Sequence, residues 1–460
     1  MTLIGLRTLS VSKSTSRGNT WSKQLRNSSC RSGLRKIGSE LLGIRSAVAF
    51  PRNIPSGQLA NNALALLIGN GVAQALVSVA VVLTTRHLGV AASGQYLATY
   101  ALLRQAAPIL NFGLDTLFLR EAGCAPSAVG SHLISISFAK LLLAIGWLPA
   151  LALLPPLLFP RVYPPSVMWI AAIGITFQAL GTSAVTAFQG SLGNWIACWL
   201  QVASGVFLLL PVVWLAGRSS ALEQFVWGRT GAYIVSAVLR FAFAARTYRI
   251  QPDRRPLLSL YRDGMPFMAA DILATIYGTA DVTIVALLQG KTAAGYYAPV
   301  VTLVNTLFLI PLSVYLVAIP MLSQRYAQDP PAARRTARSF LGGLTALGIL
   351  LAGGVLLFSP FLSRLVYGST IPIMTKTTAL ASAVVFFKSI NYGLAPVLIA
   401  VNRQNKRVIA QIASVVTNIG LNLLLVGSYG VIAAALVYVI SEAVLCIGLA
   451  IYALPHIRAK

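Results

Sequence analysis

The chain has 460 residues, of which 57% are hydrophobic and only 10% are charged, and its mean hydropathy is +0.76. Soluble domains carry roughly 25% charged residues, so this composition excludes a water-soluble globule and predicts an all-α integral membrane protein. The 36 Lys and Arg residues outnumber the 10 acids and give a net charge of +26. These basic residues lie mostly in one tail and in short loops, so the positive-inside rule explains them and no nucleic-acid partner is predicted.

Residues 1–57 differ from the rest of the chain. They are rich in Arg and Ser, contain Glu40 as their single acid, and have no apolar run long enough to span a membrane. No apolar segment follows Met1 closely, which argues against a secretory signal. The composition also resembles an organellar transit peptide, but a disordered cytoplasmic tail, or a start assigned too far upstream, is the favoured interpretation. In each case the tail is predicted to lie outside the fold.

Twelve apolar runs follow, each close to the ~20 residues that a transmembrane helix needs. The predicted spans are 60–84, 93–116, 131–154, 165–189, 194–217, 222–246, 264–288, 293–320, 340–360, 377–400, 408–426 and 430–454. If the N-terminal tail is cytoplasmic, the cytoplasmic segments carry 25 Lys and Arg residues and the opposite loops carry 6. The positive-inside rule then places both termini in the cytoplasm.

A short motif occurs twice, 201 residues apart, as RHLGVAASGQYL at Arg86–Leu97 and LLQGKTAAGYYA at Leu287–Ala298. The motif aligns Gly89 with Gly290, Gly94 with Gly295, and Tyr96 with Tyr297. Each copy joins two membrane-length apolar runs, and its glycines permit a tight turn and a close helix approach. Such internal repeats are typical of transporters built from two related bundles.

The basic segment 247–263 divides the chain into two halves that match this repeat. We predict an N-terminal six-helix bundle at 58–246 and a C-terminal six-helix bundle at 264–460. A second echo supports the division, because QVAS at Gln201 in the fifth span resembles QIAS at Gln411 in the eleventh.

Charged residues inside the spans cost at least ~2.5–3.5 kcal/mol each near the membrane centre and normally face a bundle interior or a watery cavity. The candidate cavity cations are Arg104, Lys140, Arg229, Arg240 and Lys388. The candidate ion-pairing or ion-coupling acids are Asp271, Asp281 and Glu442. The two acids of the seventh span have two open interpretations, as structural partners of the cations or as groups that bind a coupling proton or sodium ion. Glu442 also has a simple alternative role as an ion-pair partner of Lys388.

Helical spacing groups several of these residues into two stripes. One stripe contains Arg229, Tyr233, Ser236 and Arg240, and the other contains Tyr100, Arg104, Asn111 and Asp115. Members of each stripe recur at helical intervals and therefore share one helix face. Each stripe contains arginine, and arginine matches the oxygens of phosphate or carboxylate, so an anionic cargo is predicted.

Some of these residues also have a simpler structural interpretation. Arg240, Lys140 and Asp115 lie near enough to a membrane interface to extend their charged ends towards water. The repeat tyrosines Tyr96, Tyr296 and Tyr297 stand at helix ends, where an aromatic belt is the default interpretation.

The sequence gives little support for an enzyme or for a metal-binding protein. The four cysteines and three histidines are scattered, so neither a disulfide framework nor a metal site nor a cofactor is predicted. No P-loop is present, and no loop is long enough to hold the carboxylates expected of a membrane-bound polysaccharide enzyme.

Short motifs along residues 58–454 resemble the multidrug/oligosaccharidyl-lipid/polysaccharide (MOP) exporter superfamily, in particular its O-antigen-type flippases. They are RHLG at 86–89, SGQY at 93–96, FGL at 112–114, LRE at 119–121, ADVTIV at 280–285, AGYYA at 294–298, IPMLS at 319–323, NIGLN at 418–422, YGVIAAA at 429–435 and SE at 441–442. The resemblance implies two six-helix bundles that form a V, as in multidrug transporters of that superfamily. The tail at 1–57 departs from the family pattern.

The resemblance also implies a function. The expected protein is a non-enzymatic flippase of the bacterial inner membrane that moves an undecaprenyl-pyrophosphate-linked oligosaccharide by alternating access. H⁺ or Na⁺ is the expected coupling ion, and a polysaccharide polymerase and chain-length proteins are the expected partners. The alternative is a cation-coupled multidrug antiporter of the same superfamily. An excess of cations over acids in the cavity argues against that alternative, because such exporters mostly take cationic drugs.

Overall fold

The computed structural model describes residues 56–124, 129–191, 193–218, 221–249 and 256–458. The predicted tail up to residue 55 and residues 250–255 of the predicted linker lie outside the described residues. Within the described ranges every regular element is a helix, which confirms the all-α class. The helices are α1 (Ser56–Asn111), α2 (Leu114–Cys124), α3 (Val129–Leu158), α4 (Pro165–Gly190), α5 (Asn194–Leu215), α6 (Leu222–Thr247), α7 (Leu257–Leu307), α8 (Leu309–Gln328), α9 (Pro330–Leu357), α10 (Ser359–Tyr367), α11 (Pro372–Ala400) and α12 (Gln404–Arg458).

Three of these helices are each divided into two spans by a glycine. Gly89 divides α1 with φ 72° and ψ 177°, and Gly290 divides α7 with the nearly identical φ 80° and ψ −178°. Gly430 divides α12 with φ 64°. A positive φ is accessible to glycine at little steric cost, because glycine lacks a Cβ atom. The backbone therefore explains why both copies of the repeated motif carry a glycine at this position.

Dividing the helices at these glycines gives the predicted number of spans. Eight helical stretches are long and apolar enough to cross a membrane, and three of them contain one of the dividing glycines. With α6, whose arginines lower its hydropathy, they make twelve spans in the described part of the chain. In each half, the first two spans meet directly at the first glycine of the motif, Gly89 or Gly290. The loops predicted between these spans, at 85–92 and 289–292, are therefore largely helical.

The two copies of the repeated motif pack directly against each other. A Cβ atom added to Gly94 would lie 1.7 Å from the carbonyl oxygen of Lys291, and one added to Gly295 would lie 2.0 Å from that of Val90. Only glycine allows two backbones to approach this closely. The contact is reciprocal and lies on the side of the bundle opposite both ends of the described chain. It supports the predicted twofold relation between the halves.

The same pair of helices also touches at the other end and at mid-depth. A Cβ atom on Gly113, just beyond the end of α1, would lie 2.4 Å from the carbonyl oxygen of Gly264 in α7. Between these ends, the side chain of Gln105 donates a hydrogen bond to the hydroxyl of Thr283 at 2.5 Å. The helices α1 and α7 thus form the main seam between the halves.

The second sequence echo also occupies equivalent places. The hydroxyl of Ser204, in the fifth span, accepts a hydrogen bond of 2.9 Å from Arg240 in the sixth. The hydroxyl of Ser414, in the eleventh span, donates one of 2.7 Å to the carbonyl of Ser441 in the twelfth. Corresponding serines therefore join corresponding pairs of spans in the two halves.

Candidate functional site

A polar cavity lies between the two halves, with α1 and α6 on one side and α7 and the start of α8 on the other. Its central chamber has a volume of about 250 Å³. The polar residues that line it are Gln74, Tyr100, Arg104, Arg229, Thr279, Thr302 and Asn305. Both halves therefore contribute polar groups, but its two cations come from the N-terminal half.

Two further chambers adjoin the central one and share Arg104 with it. A chamber of about 430 Å³ is lined by Arg104, Asn111, Asp271 and Asn305, among others. A smaller one of about 110 Å³ extends into the N-terminal half between Arg104, Gln178 and Arg229. Arg104 lines all three chambers, and its side chain is exposed to them. It is the cation best placed to meet a molecule in the cavity.

Arg229 is held by tyrosines rather than by an acid. Its Nε donates a hydrogen bond of 2.9 Å to the hydroxyl of Tyr233, and its Nη1 donates one of 3.3 Å to that of Tyr96. Its guanidinium carbon lies 3.8 Å from the centre of the Tyr100 ring. Neutral hydroxyls and aromatic faces satisfy the guanidinium without neutralising its charge. Arg229 therefore presents a net positive charge at the cavity wall.

Neither cavity arginine has an acidic partner in the described part of the chain. The ion pairs there join other residues, and no carboxylate lies within 4.0 Å of Arg104 or Arg229. Among the Lys, Arg, Asp and Glu residues described, those that line the three chambers are these two arginines and Asp271. The cavity lining therefore has more positive than negative charge.

Tyr96 and Tyr297, the aligned tyrosines of the repeat, are buried, so the belt interpretation was wrong for these two residues. Tyr96 is 3% exposed and Tyr297 is 1% exposed. Tyr96 binds Arg229, whereas Tyr297 donates a hydrogen bond of 2.6 Å to the Oδ2 atom of Asp281. The same position of the duplicated motif thus contacts a buried cation in one half and a buried acid in the other.

The C-terminal half, which contains Tyr297, also contains a compact cluster of charged residues. Lys388 forms an ion pair of 3.2 Å with Glu442, which is the alternative role predicted for that acid. Lys388 also donates a hydrogen bond of 3.2 Å to the hydroxyl of Tyr438. Asn391 donates a hydrogen bond of 2.8 Å to the same carboxylate. Glu442 is fully buried. Its charge is matched within the cluster, which lies inside the C-terminal half and not on the cavity wall.

The other two predicted cavity cations lie within the N-terminal half. Lys140 is 1% exposed and forms an ion pair of 2.7 Å with Asp115, which also accepts a hydrogen bond of 2.8 Å from Ser183. Arg240 is 9% exposed and is bound by Ser204. The structure therefore brings two of the five predicted cations, Arg104 and Arg229, together at the cavity.

The predicted acids are also separated by the fold. Asp271 lines the wider chamber together with Arg104. Asp281 is 4% exposed and is held by Tyr297 and by the backbone N–H of Val282 at 2.9 Å. It lies in the C-terminal half near the cluster of Lys388 and Glu442.

Some cavity residues carried little signal in the sequence. An asparagine within a span more often joins helices than binds a ligand, so Asn305 gave no signal for a cavity. Thr279 and Gln74 were not distinguished from other polar residues in the spans. A signal for Tyr96 was present, because Tyr96, Tyr100 and Arg104 recur at intervals of four residues and share one helix face. Extending the predicted stripe by one turn would have included it.

Twelve spans in two related halves, with a polar cavity between them, define the architecture of a membrane transporter. Residues 59–325, more than half of the chain, match the model of the polysaccharide biosynthesis protein family. The chain belongs to this family, as the motifs indicated. No curated protein matches the chain at a significant level of sequence similarity.

Solved structures show the same fold. An inward-facing multidrug resistance MATE transporter of the MOP superfamily superposes with a TM-score of 0.68 at 14% identity, covering 85% of this chain and 98% of that one. The lipid II flippase MurJ, in an inward closed conformation, gives 0.60 at 15% identity, covering 84% and 87%. A MOP superfamily transporter from Pyrococcus furiosus, described as having a binding pocket of reversed polarity, gives 0.54 at 13% identity, covering 88% and 96%. At these identities the similarity establishes the fold.

Proposed function

We propose that the protein is a flippase that moves an anionic, lipid-linked oligosaccharide across the bacterial inner membrane, with both termini in the cytoplasm and without enzymatic activity. The observation that carries the proposal is the pair of cavity arginines, Arg104 and Arg229, which have no acidic partner within 4.0 Å among the residues that the structure describes. A pyrophosphate linkage would supply the missing negative charge, since its oxygens match the donor geometry of arginine.

The remaining lining suits the sugar part of such a cargo. Gln74, Thr302 and Asn305 provide amide and hydroxyl groups around the central chamber. Sugar hydroxyls both donate and accept hydrogen bonds, and these side chains do the same. The apolar polyprenyl tail stays in the surrounding lipid, because its burial against the arginine and amide groups of this chamber would leave those groups without hydrogen-bond partners.

The reciprocal contact of the repeated turns supports alternating access. Gly94 and Gly295 hold the two halves together at the predicted outer side of the cavity. In our proposal these turns separate when the cavity opens outwards, and the halves rock about the opposite end of the seam, where Gly113 approaches Gly264. H⁺ or Na⁺ binding at Asp281 or Asp271 would drive the cycle, and polysaccharide polymerase and chain-length proteins would use the exported unit.

A cation-coupled multidrug antiporter is the second candidate. The observation in its favour is Asp271, a carboxylate that lines the wider chamber and is able to bind a cationic drug. The two arginines in the same cavity oppose it, because they repel a cation at close range. The two functions therefore differ in the charge of the molecule that binds near Arg104.

Binding measurements on the purified protein separate the two candidates. Undecaprenyl pyrophosphate in mixed micelles should bind to the wild type and lose about tenfold or more in affinity with Arg104→Gln or Arg229→Gln, since a hydrogen bond to a charged group contributes about 1.5–3 kcal/mol. Lys376→Gln, which removes an exposed cation outside the cavity, should bind like the wild type. Tight binding of a cationic dye that Asp271→Asn abolishes, with no binding of the pyrophosphate, would overturn the flippase proposal.

A further inference from the structure

A groove separate from the central cavity runs between α8 and α9 in the C-terminal half, along a helix, α9, that is long and apolar enough to cross a membrane. It has a volume of about 560 Å³, within the range of ~300–1,000 Å³ that is typical of ligand sites. The residues that line it are Val314, Met321, Arg325, Arg335, Thr336, Ser339, Phe340, Gly343, Leu344 and Leu347. None of these lines the three chambers described above.

The groove is polar at one end and apolar along its length. Arg325 and Arg335 are exposed at the end near the junction of the two helices, and the guanidinium of Arg325 donates a hydrogen bond to the hydroxyl of Thr336. This junction is on the same side of the bundle as both ends of the described chain, which is the predicted cytoplasmic side. Two basic side chains from different helices thus converge at one membrane surface.

The groove as a whole, from its polar end to its apolar end, has about the length of one membrane leaflet. Thr336, Phe340, Gly343 and Leu347 follow helical intervals along one face of α9, so the face extends for about 16 Å at ~1.5 Å per residue. One leaflet contributes about half of the ~30 Å hydrocarbon thickness of a bilayer. Gly343 leaves the middle of this face open, because a Cβ atom placed there would have no neighbour within 4 Å.

We infer that this groove binds one anionic glycerophospholipid of the adjacent leaflet. Its phosphate lies between Arg325 and Arg335, and one acyl chain lies along Phe340 and Leu347. Basic pockets between transmembrane helices at a cytoplasmic surface bind anionic headgroups by the same charge complementarity. The inference is independent of the proposed cargo, which is assigned to a cavity that shares no lining residue with the groove.

Native mass spectrometry of the full-length protein in detergent tests this site with two probes, phosphatidylglycerol and phosphatidylcholine. The wild type should retain phosphatidylglycerol preferentially. Arg325→Ala and Arg335→Ala should each weaken its binding about fivefold, as expected for one basic residue near a membrane surface. Arg338→Ala, three residues along α9 and outside the groove, is the matched control and should leave binding unchanged.

A second variant blocks the groove without removing charge. Gly343→Leu should fill the apolar part and abolish retention of phosphatidylglycerol, whereas Gly342→Leu, equally free of neighbours but outside the groove, should bind like the wild type. Equal retention of the two phospholipids, or unchanged binding in Gly343→Leu, would overturn the inference. Displacement of phosphatidylglycerol by a lower concentration of undecaprenyl phosphate would also overturn it and would assign the groove to the polyprenyl tail.

Discussion

Gly94 and Gly295 occupy equivalent positions of the duplicated motif and meet across the seam between the two halves. A Cβ atom on Gly94 would lie 2.7 Å from the backbone nitrogen of Gly295 and 1.7 Å from the carbonyl oxygen of Lys291. Both atoms belong to the backbone and cannot be moved by a side-chain rotation. The closed state at this end of the cavity therefore depends on the absence of two methyl groups.

Gly94→Ala should shift the protein towards the conformation in which the repeated turns are apart. Overpacking costs about 1–3 kcal/mol, which corresponds to about a 5–150-fold change in a two-state equilibrium. The measurement is labelling of Thr302→Cys, in the central chamber, by a membrane-impermeant maleimide added from the predicted outer side. The labelling rate should rise, and cargo transport should fall because the cycle must pass through the closed state.

The control for this substitution is Gly71→Ala, in a background whose four cysteines are replaced by serine. Gly71 lies in the first span, and a Cβ atom there would have no neighbour within 4 Å. Its labelling rate should equal that of the unsubstituted background. Equal rates for Gly94→Ala and Gly71→Ala would show that the turns do not limit access to the cavity.

Replacing Tyr100 should test whether its ring supports Arg229. Tyr100→Phe keeps an aromatic face 3.8 Å from the guanidinium carbon, so cargo binding should stay close to that of the wild type. Tyr100→Leu removes the cation–π interaction, which contributes about 0.5–2 kcal/mol, so affinity should fall about 2–30-fold. Titration with undecaprenyl pyrophosphate checks both values. Identical losses in the two variants would show that the aromatic face has no such role.

The ion pair of Lys388 and Glu442 should behave as a buried structural pair. Removing one partner leaves an uncompensated charge, so Glu442→Ala should cost about 3–5 kcal/mol of stability. The double variant Lys388→Met with Glu442→Met should cost much less, because neither charge remains. Unfolding in mixed micelles measures both. A double variant as unstable as Glu442→Ala, or one that folds but no longer transports, would contradict a purely structural role.

Asp281 and Asp271 differ in a way that transport measurements can resolve. If Asp281 binds the coupling ion, Asp281→Asn should abolish uptake driven by an ion gradient while exchange of cargo between two equal pools continues. Exchange needs the conformational change but no net movement of the ion. Asp271→Asn, which changes the acid that lines the cavity, should retain ion-driven uptake. The opposite pattern in the two variants would transfer the coupling role to Asp271.

Tyr297→Phe tests whether the hydroxyl of Tyr297 affects ion binding at Asp281. It removes the hydroxyl that donates to Asp281 at 2.6 Å while keeping the buried ring. A hydrogen bond to a charged group contributes about 1.5–3 kcal/mol, so the concentration of coupling ion needed for half-maximal uptake should change by about tenfold or more. Tyr96→Phe, at the equivalent position of the other half, should instead change cargo binding.

The number of spans and the seam between the halves were predictable from local patterns. Membrane-length apolar runs determine spans directly, because lipid offers no partner for an exposed backbone. The repeat at Gly89 and Gly290 located the turns, and its second glycines, Gly94 and Gly295, indicated the close approach that the structure shows. Helical spacing also grouped Tyr100 with Arg104, and Tyr233 with Arg229, on common faces.

The partners of the charged residues were decided by the tertiary structure. Lys140 and Arg229 were both candidate cavity cations by sequence, but Lys140 meets Asp115 whereas Arg229 meets three tyrosines. Helical periodicity defines which residues share a face but not the direction in which that face points within a bundle. Packing of the twelve spans sets those directions. As a result, Arg104 and Arg229 line the cavity, whereas Lys140 and Lys388 each form an ion pair with an acid of their own half.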